Sequence, residues 1–443
     1  MTPSIDYGTS LVFAFILFFV GAIYAKYFSL RGYRGALLIF SVGFLVRILS
    51  VYGIYHYLIA AGGDGFVIGD DRQYDVVAKE IAGDIRAGLS GYKQLNTGWV
   101  NVGYFNLGGW MYYHFGFDTV SARIFNAFLS SITSLFVYAI AQKSFGPKEG
   151  KISAWIYALL PSVIFWSTQH LKDSLVIYLT VIVMYGLIVK MGGIRGTLVA
   201  LIQVAIAIFC LWFVRKDLCF PLAAMVAAAL AIKLTPLGLV LDKKKIPLVL
   251  QGLGMGILLA AVLLITNMTK QGEEFQDSLS GVGHYQEKLV RTGNAGFTNR
   301  LRVVSAGDIY KLPAAMLFTM AAPLPNFSAP ADPKTLGLSL YGYLNIPLIM
   351  LTPCILLGFY IMGKYKMSII DSALIRWFPV AVLAGISIFY LGVLRYNSQL
   401  LFGFSIFAGV ALANRRRFRV LLQIGYIGYA AALAVGLVLA IYL

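Results

Sequence analysis

The sequence predicts an all-α polytopic membrane protein, and three observations carry that prediction. Of its 443 residues, 59% are hydrophobic and only 12% are charged, with a mean hydropathy of +0.78, outside the usual range of soluble globular chains. About twelve stretches are long and apolar enough to cross a bilayer, which takes roughly 20 helical residues each. The cations collect in alternate connections between those stretches.

Taken in order, the spans are expected near 9–28, 35–60, 119–142, 152–168, 173–191, 196–214, 218–236, 246–266, 341–362, 373–393, 397–413 and 419–442. The first segment, MTPSIDYG, lacks a basic leader, so the first apolar run reads as a retained span. Basic clusters at Lys26/Arg31/Arg34, Lys143/Lys148/Lys151, Lys190/Arg195, Lys233/Lys243/Lys244/Lys245, Lys364/Lys366 and Arg415/Arg416/Arg417/Arg419 face only Glu149, Asp242 and Asp371. The positive-inside rule makes that side cytoplasmic. The net charge of +17 is therefore a topology signal, and nucleic acid is not an expected partner. Cys210, Cys219 and Cys354 fall inside apolar runs without paired or zinc-like spacing, which argues against disulfide or metal roles.

Two long connections, 61–118 and 267–340, then lie on the outer side, where loops of this size usually carry function. In the first, Gly69 to Leu89 is charged and helix-patterned. Tyr74, Val77, Ala78, Ile81, Ile85 and Leu89 share one face, whereas Arg72, Asp75, Lys79, Asp84 and Arg86 are expected to point elsewhere. This reads as an amphipathic helix on the membrane surface. Asp70 and Asp71 stand at its head, with Gln73 placed as in a capping box around Asp70. One acid can cap the helix while the other stays available for chemistry or a cation. The second loop carries a semi-apolar run, Ile309 to Ala322, that is too short to span and reads as a re-entrant or interfacial helix stopped by Pro323 and Pro325.

Charges also sit where the topology rule disfavours them. Lys172 and Asp173, then Arg215, Lys216 and Asp217, then Arg395 occupy three short outer turns. Taken singly they fit snorkelling side chains. Together, over the same bundle mouth as Asp70 and Asp71, they form a cation set suited to an anionic phosphate. A carboxylate pair, cations and an apolar bundle suit a transfer reaction on a lipid-linked phosphate: a carboxylate takes the acceptor proton and the cations stabilise the departing phosphate. His170, beside Lys172, is a further substrate-contact candidate weighed against an ordinary hydrogen-bonded histidine. Tyr104, Trp110, Tyr112 and Tyr113 can stack on a sugar or anchor the loop at the interface.

Three stretches resemble the GT-C glycosyltransferases that use polyprenyl-phosphate sugars, particularly the protein O-mannosyltransferase and aminoarabinose-transferase branch. GDDRQYDVVAKEI resembles the acidic motif of the first outer loop, pairing Asp70 with Tyr74. The segment from GYFNLGGW to STQHLKDS resembles the following core, with Arg123 at a span start, a Phe-Gly turn, Ala-Leu-Leu-Pro and an acid, here Asp173. LRYNSQLLFGFSIFAGVALA resembles the late Arg-Tyr segment and brings in Arg395 and Tyr396. The resemblance covers roughly 35–415. It implies a GT-C-like catalytic core there, preceded by an extra span and basic inner loop (1–34) and followed by a C-terminal span (416–443).

What the resemblance implies is an inverting transfer, with Asp70, Asp71 and Asp173 as the catalytic acids and Lys172, Arg215, Lys216 and Arg395 on the donor phosphate. Tyr74, His170 and Tyr396 become substrate contacts, and a divalent cation, Mg or Mn, stays open beside Asp70 and Asp71. The expected partners are a polyprenyl-phosphate-sugar donor lipid, a glycan, lipid or protein acceptor, and the membrane. The expected place is a bacterial cytoplasmic (inner) membrane, with the active site on the extracytoplasmic side. A polymerase or ligase acting on diphosphate-linked glycans is the rival enzyme. A lipid or solute transporter, with Asp70, Lys172 and Arg395 as a gating network, is the rival outside enzymes. Two long outer loops and no convincing internal repeat favour the enzyme.

Overall fold

The computed structural model describes residues 7–89, 102–116, 119–191, 193–234, 310–321, 336–365, 367–389 and 394–442, and every regular element among them is a helix. Six of the described helices or helical stretches are long and apolar enough to cross a membrane: Tyr7–Leu30, Ala36–Ala60, Thr119–Phe145, Asp173–Lys190, Ile194–Val214 and Ser339–Met362. The chain is thus an integral membrane protein by its helices. The expected span 246–266 and most of the second outer loop lie outside the described residues. The chain divides into two compact units, Met1–Leu222 with Leu324–Pro347, and Ala223–Pro323 with Leu348–Leu443.

The first unit is built around α5 (Thr119–Phe145), which packs against α1 (Tyr7–Leu30), α2 (Ala36–Ala60), α6 (Pro147–Leu159) and α8 (Asp173–Tyr185). Its centre is small and polar. The hydroxyls of Ser131 and Thr133 donate to the carbonyls of Ala127 and Leu129 four residues back, at 2.7 and 2.8 Å, so these groups need no partner on another helix and let the neighbours approach closely. A π-helical turn, Gly186–Lys190, continues α8 before α9 (Gly193–Val214) and α10 (Lys216–Leu234).

The expected single span 152–168 is instead two helices, α6 and α7 (Pro161–Ser167), broken at Leu160. Leu160 is extended, with φ −63° and ψ 119°, because Pro161 disfavours helical backbone in the residue before it and begins the next helix. Pro161 also has no N–H for the carbonyl of Tyr157, four residues earlier. Arg47 of α2 answers that deficit: it is fully buried and donates to the carbonyls of Tyr157 at 3.3 Å and Ala158 at 2.7 Å.

The amphipathic helix of the first loop is α3 (Gly69–Arg86), and it packs on α4 (Val102–Phe115). A Cβ on Gly109 would stand 2.3 Å from Ile81, and one on Gly108 3.1 Å from Ala78, so this Gly-Gly pair is what lets α4 lie down on the buried face of α3. In the second unit, the run expected over 309–322 contains a helix, α11 (Leu312–Ala321). It packs against Phe378–Phe389, where the Ser387 hydroxyl meets that of Thr319 at 3.0 Å. Returning to the first unit, α12 (Leu336–Leu344) leads into the helix Ile346–Met362.

Candidate functional site

The head of α3 departs from the expected capping box. The helix starts at Gly69, the N-cap position is the extended Ile68, and no side chain caps it. Asp70 and Asp71 therefore sit inside the first turn, where acids favour the helix dipole. They face different surroundings. Asp70 is half-buried, whereas Asp71 is completely buried.

Asp71 is engaged on both oxygens. Oδ2 accepts from Arg123 Nη2 of α5 at 2.8 Å and from the Val67 N–H at 3.4 Å, and Oδ1 accepts from the His170 N–H at 2.8 Å. One carboxylate thereby ties the start of α3 to α5 and to the α7–α8 loop. Arg123 also donates to the carbonyl of Gly65 at 2.8 Å and lies over the rings of Tyr55 and Phe66. Gly65 adopts φ +82° against the Tyr55 ring, a backbone conformation that suits glycine. Burial raises the Asp71 carboxyl from its ordinary value, and Arg123 with the two backbone N–H groups pulls the other way.

Asp75 corrects the expected face assignment. It does not point away from the apolar face but is 3% exposed. The hydroxyls of Tyr112 and Thr119 donate to Oδ1 at 2.9 and 2.5 Å, and Lys79 Nζ to Oδ2 at 2.6 Å. Burial works to raise this carboxyl, but the donors outweigh it and hold Asp75 below the usual carboxylate range. A polar residue on an apolar stripe is stable when its oxygens are this well supplied. The α3 face also ends sooner than expected, since the helix stops at Arg86 and Leu89 is exposed.

His170 closes the cluster. It is fully buried among the rings of Tyr74, Tyr104 and Tyr112, with centroids 6.2, 5.7 and 6.0 Å away. Burial lowers its pKa to about 4, so the imidazole is neutral at physiological pH. Asn126 of α5 steadies the same loop by donating to the carbonyls of Gln169 and Leu171 at 2.7 and 2.8 Å and to the Tyr104 hydroxyl at 2.9 Å. Of the loop aromatics, Tyr104 and Tyr112 are buried in this cluster, whereas Trp110 and Tyr113 are exposed.

The cations follow directly. Lys172 and Asp173 are buried rather than turned outward, and Asp173 heads α8 with Arg215 Nη1 3.6 Å from its Oδ1. Lys216 lies over the Trp212 ring at 5.1 Å. Arg395 and Tyr396 belong to a 3₁₀ turn, Leu394–Leu400, in the second unit, and their side chains lie outside the described residues, as does that of Asp217. The structure thus brings Asp71, Tyr74, His170, Lys172, Asp173 and Arg215 into the same unit, with Asp71 bonded to the loop that carries His170 and Lys172. Arg123, Asn126, Thr119 and Asp75 are the members that the sequence reading did not place in the site. Asp75 had a legible signal, because Asp71, Tyr74, Asp75 and Ala78 share one helical face. Arg123 and Asn126 had only their place near the start of a span.

Both Asp71 oxygens accept hydrogen bonds, and half-buried Asp70 stands beside it in the first turn of α3. No group of three His, Cys, Asp or Glu side chains with metal-binding placement occurs among the described residues.

Residues 109–192 match the family described as dolichyl-phosphate-mannose-protein mannosyltransferase. That stretch runs from the Gly109 contact through Thr119, Arg123, Asn126, the Pro161 break, His170 and Asp173, and α3 with its acids precedes it. Among curated proteins no relative matches the chain.

Proposed function

We propose that this protein is a membrane glycosyltransferase that moves a sugar from a polyprenyl-phosphate donor to a glycan, lipid or protein acceptor on the extracytoplasmic face, with inversion. The observation that carries the reading is the family match over 109–192, because it falls on the residues that hold the α7–α8 loop and its Lys172 in place. The acceptor oxygen attacks the anomeric carbon, and its proton passes to Asp70. The bond from that carbon to the phosphate oxygen breaks, and the polyprenyl phosphate leaves with the electron pair. Lys172, Arg215, Lys216 and Arg395 neutralise the phosphate, while Asp173 orients Arg215. Tyr74, His170 and Tyr396 border the sugar. Asp71 is the positioning partner of Asp70, since its own oxygens are engaged with Arg123 and the backbone of His170 and Val67.

Asp70→Asn tests the assignment. Turnover with donor lipid in detergent, assayed with and without chelator, is expected to fall at least about 100-fold, the scale of losing a general base, with donor binding and folding retained. If Asp70→Asn is as active as the parent while Asp173→Asn is dead, the base belongs to the α7–α8 loop instead.

A further inference from the structure

A separate group of cations stands in the second unit, outside the residues 109–192 that match the family. From Leu336 to Leu443 the sequence carries eight Lys and Arg and one acid, Asp371. Five of those cations, Lys364, Arg415, Arg416, Arg417 and Arg419, are exposed on two turns that are tied to each other. Asn414 Nδ2 donates to the Tyr365 hydroxyl at 3.0 Å, and the Asn414 carbonyl accepts from the N–H groups of Arg417 and Phe418 at 3.0 and 3.2 Å. The Lys364 N–H donates to the Ile361 carbonyl at 2.8 Å, which closes the other turn.

One ring gathers charges from both turns. Buried Phe418 has Lys364 Nζ at 4.9 Å and the Arg417 guanidinium carbon at 5.5 Å from its centroid, and Lys364 also lies 4.7 Å over the Tyr360 ring. Such contacts orient a cation without cancelling its charge. Among the described residues neither Lys364 nor Arg417 forms an ion pair with an acid. Arg415, Arg416 and Arg417 follow the end of the helix Leu401–Ala413, where the dipole favours cations. Arg419 instead opens the helix Arg419–Tyr442, whose first turn has no acid, and there the dipole favours an anion. The cluster is therefore short of negative charge at a defined place.

That place is the edge of the hydrocarbon. The helix Ile346–Met362 closes the apolar stretch Ser339–Met362, long enough to cross a membrane, so Lys364 just beyond it stands at headgroup level. Tyr360, one turn earlier, is exposed, as are Val420, Leu421 and Ile424 in the first turns of Arg419–Tyr442. The two helices are neighbours, since Cys354 Sγ meets the Tyr426 hydroxyl at 3.3 Å. Cations bordering an exposed apolar face suit an amphiphile of negative charge, its head on the cations and its chains along the helices. We infer that Lys364 and Arg417, with Arg415, Arg416 and Arg419 around them, bind the phosphate headgroup of an anionic phospholipid. This holds whatever the donor of the transfer reaction is.

Native mass spectrometry of the full-length protein, released from mixed micelles of phosphatidylglycerol and phosphatidylcholine, reads the preference. The parent is expected to retain phosphatidylglycerol over phosphatidylcholine, and Lys364→Gln/Arg417→Gln to reduce that preference at least about tenfold, the scale of two cations near an anionic headgroup. Lys364→Arg/Arg417→Lys keeps both charges and is expected to keep the preference. Lys143→Gln/Arg195→Gln removes two exposed cations of the first unit and is expected to leave it unchanged. Equal retention of the two lipids by the parent overturns the inference, as does a parent-like preference in Lys364→Gln/Arg417→Gln. An equal loss in Lys143→Gln/Arg195→Gln reduces the effect to net charge and overturns the site. Displacement of phosphatidylglycerol by inorganic phosphate assigns the cluster to a soluble anion, and also overturns it.

Discussion

Arg47 and Arg123 are both fully buried, on neighbouring helices of the same unit, and they are held in opposite ways. Arg47 has only neutral partners: the Ser167 hydroxyl and the carbonyls of Gly43, Tyr157 and Ala158, between 2.7 and 3.3 Å. It repairs a backbone deficit that Pro161 creates. Arg123 has a carboxylate, Asp71, at 2.8 Å, with one further carbonyl and two aromatic faces. Its partner is the residue next to the proposed base and is bonded to the loop of the proposed phosphate cations. The difference teaches that a buried arginine marks a site by what it pairs with, since burial alone fits a scaffold joint equally well.

The largest effect should come from breaking the ion pair on one side only. Arg123→Met leaves Asp71 as a buried charge without its cation and should cost about 3–5 kcal/mol in thermal or denaturant unfolding in detergent. Adding Asp71→Asn removes that charge and should recover most of the loss. A double variant no more stable than Arg123→Met alone would mean that the charge is not what Arg123 serves.

Next comes the pH dependence of the loop that Asp71 holds. Folded His170 stays neutral down to about 4, whereas an unfolded histidine takes its proton near 6.5. Between those values the unfolded state binds more protons, so this contribution is complete above about pH 6.5 and is lost as pH falls toward 4, on the order of 3 kcal/mol in all. His170→Phe should flatten that part of the stability profile while keeping the backbone N–H that Asp71 uses. Equal slopes in parent and variant would remove His170 as its source.

Arg47→Met should cost less than the change at Arg123, about 2 kcal/mol, because it strands neutral carbonyls rather than a charge. Pro161→Ala restores an N–H opposite the Tyr157 carbonyl. In the Arg47→Met background it should therefore be less damaging than in the parent, a coupling that a double-mutant cycle reads directly. Additive losses would separate Arg47 from the α6–α7 break.

The smallest effect is expected at Lys79, the half-exposed partner of buried Asp75. Lys79→Met should lower stability by no more than about 1 kcal/mol, since Tyr112 and Thr119 continue to supply the Asp75 carboxylate. A larger loss would make Asp75 a third member of the Asp71 and Arg123 class.

Much of the scaffold was legible along the chain. Helical periodicity located α3 within a few residues, and run length located α2, α5 and α9, because both are properties of contiguous residues. The acid pair and the Lys172–Asp173 and Arg215 turns stood out as charges in apolar sequence. The break at Leu160 could have been read from Pro161, but the long apolar run around it favoured an uninterrupted span. The roles within the acid pair were less legible, because adjacent positions on a helix point about 100° apart, and composition does not say which direction is inward.

Apolar run lengths settle the membrane class, and the charges that interrupt them mark the positions of the polar turns. These are local quantities that each segment carries with it. Partnership is a different matter: Asp71 meets Arg123 across 52 residues of chain and the His170 backbone across 99. A helix face can be read from its own period, but what it faces depends on how distant segments pack. The tertiary structure therefore decided that Asp71 is buried while Asp70 stays half-open, that Asp75 turns inward, and that Arg47 serves a proline and Arg123 an acid.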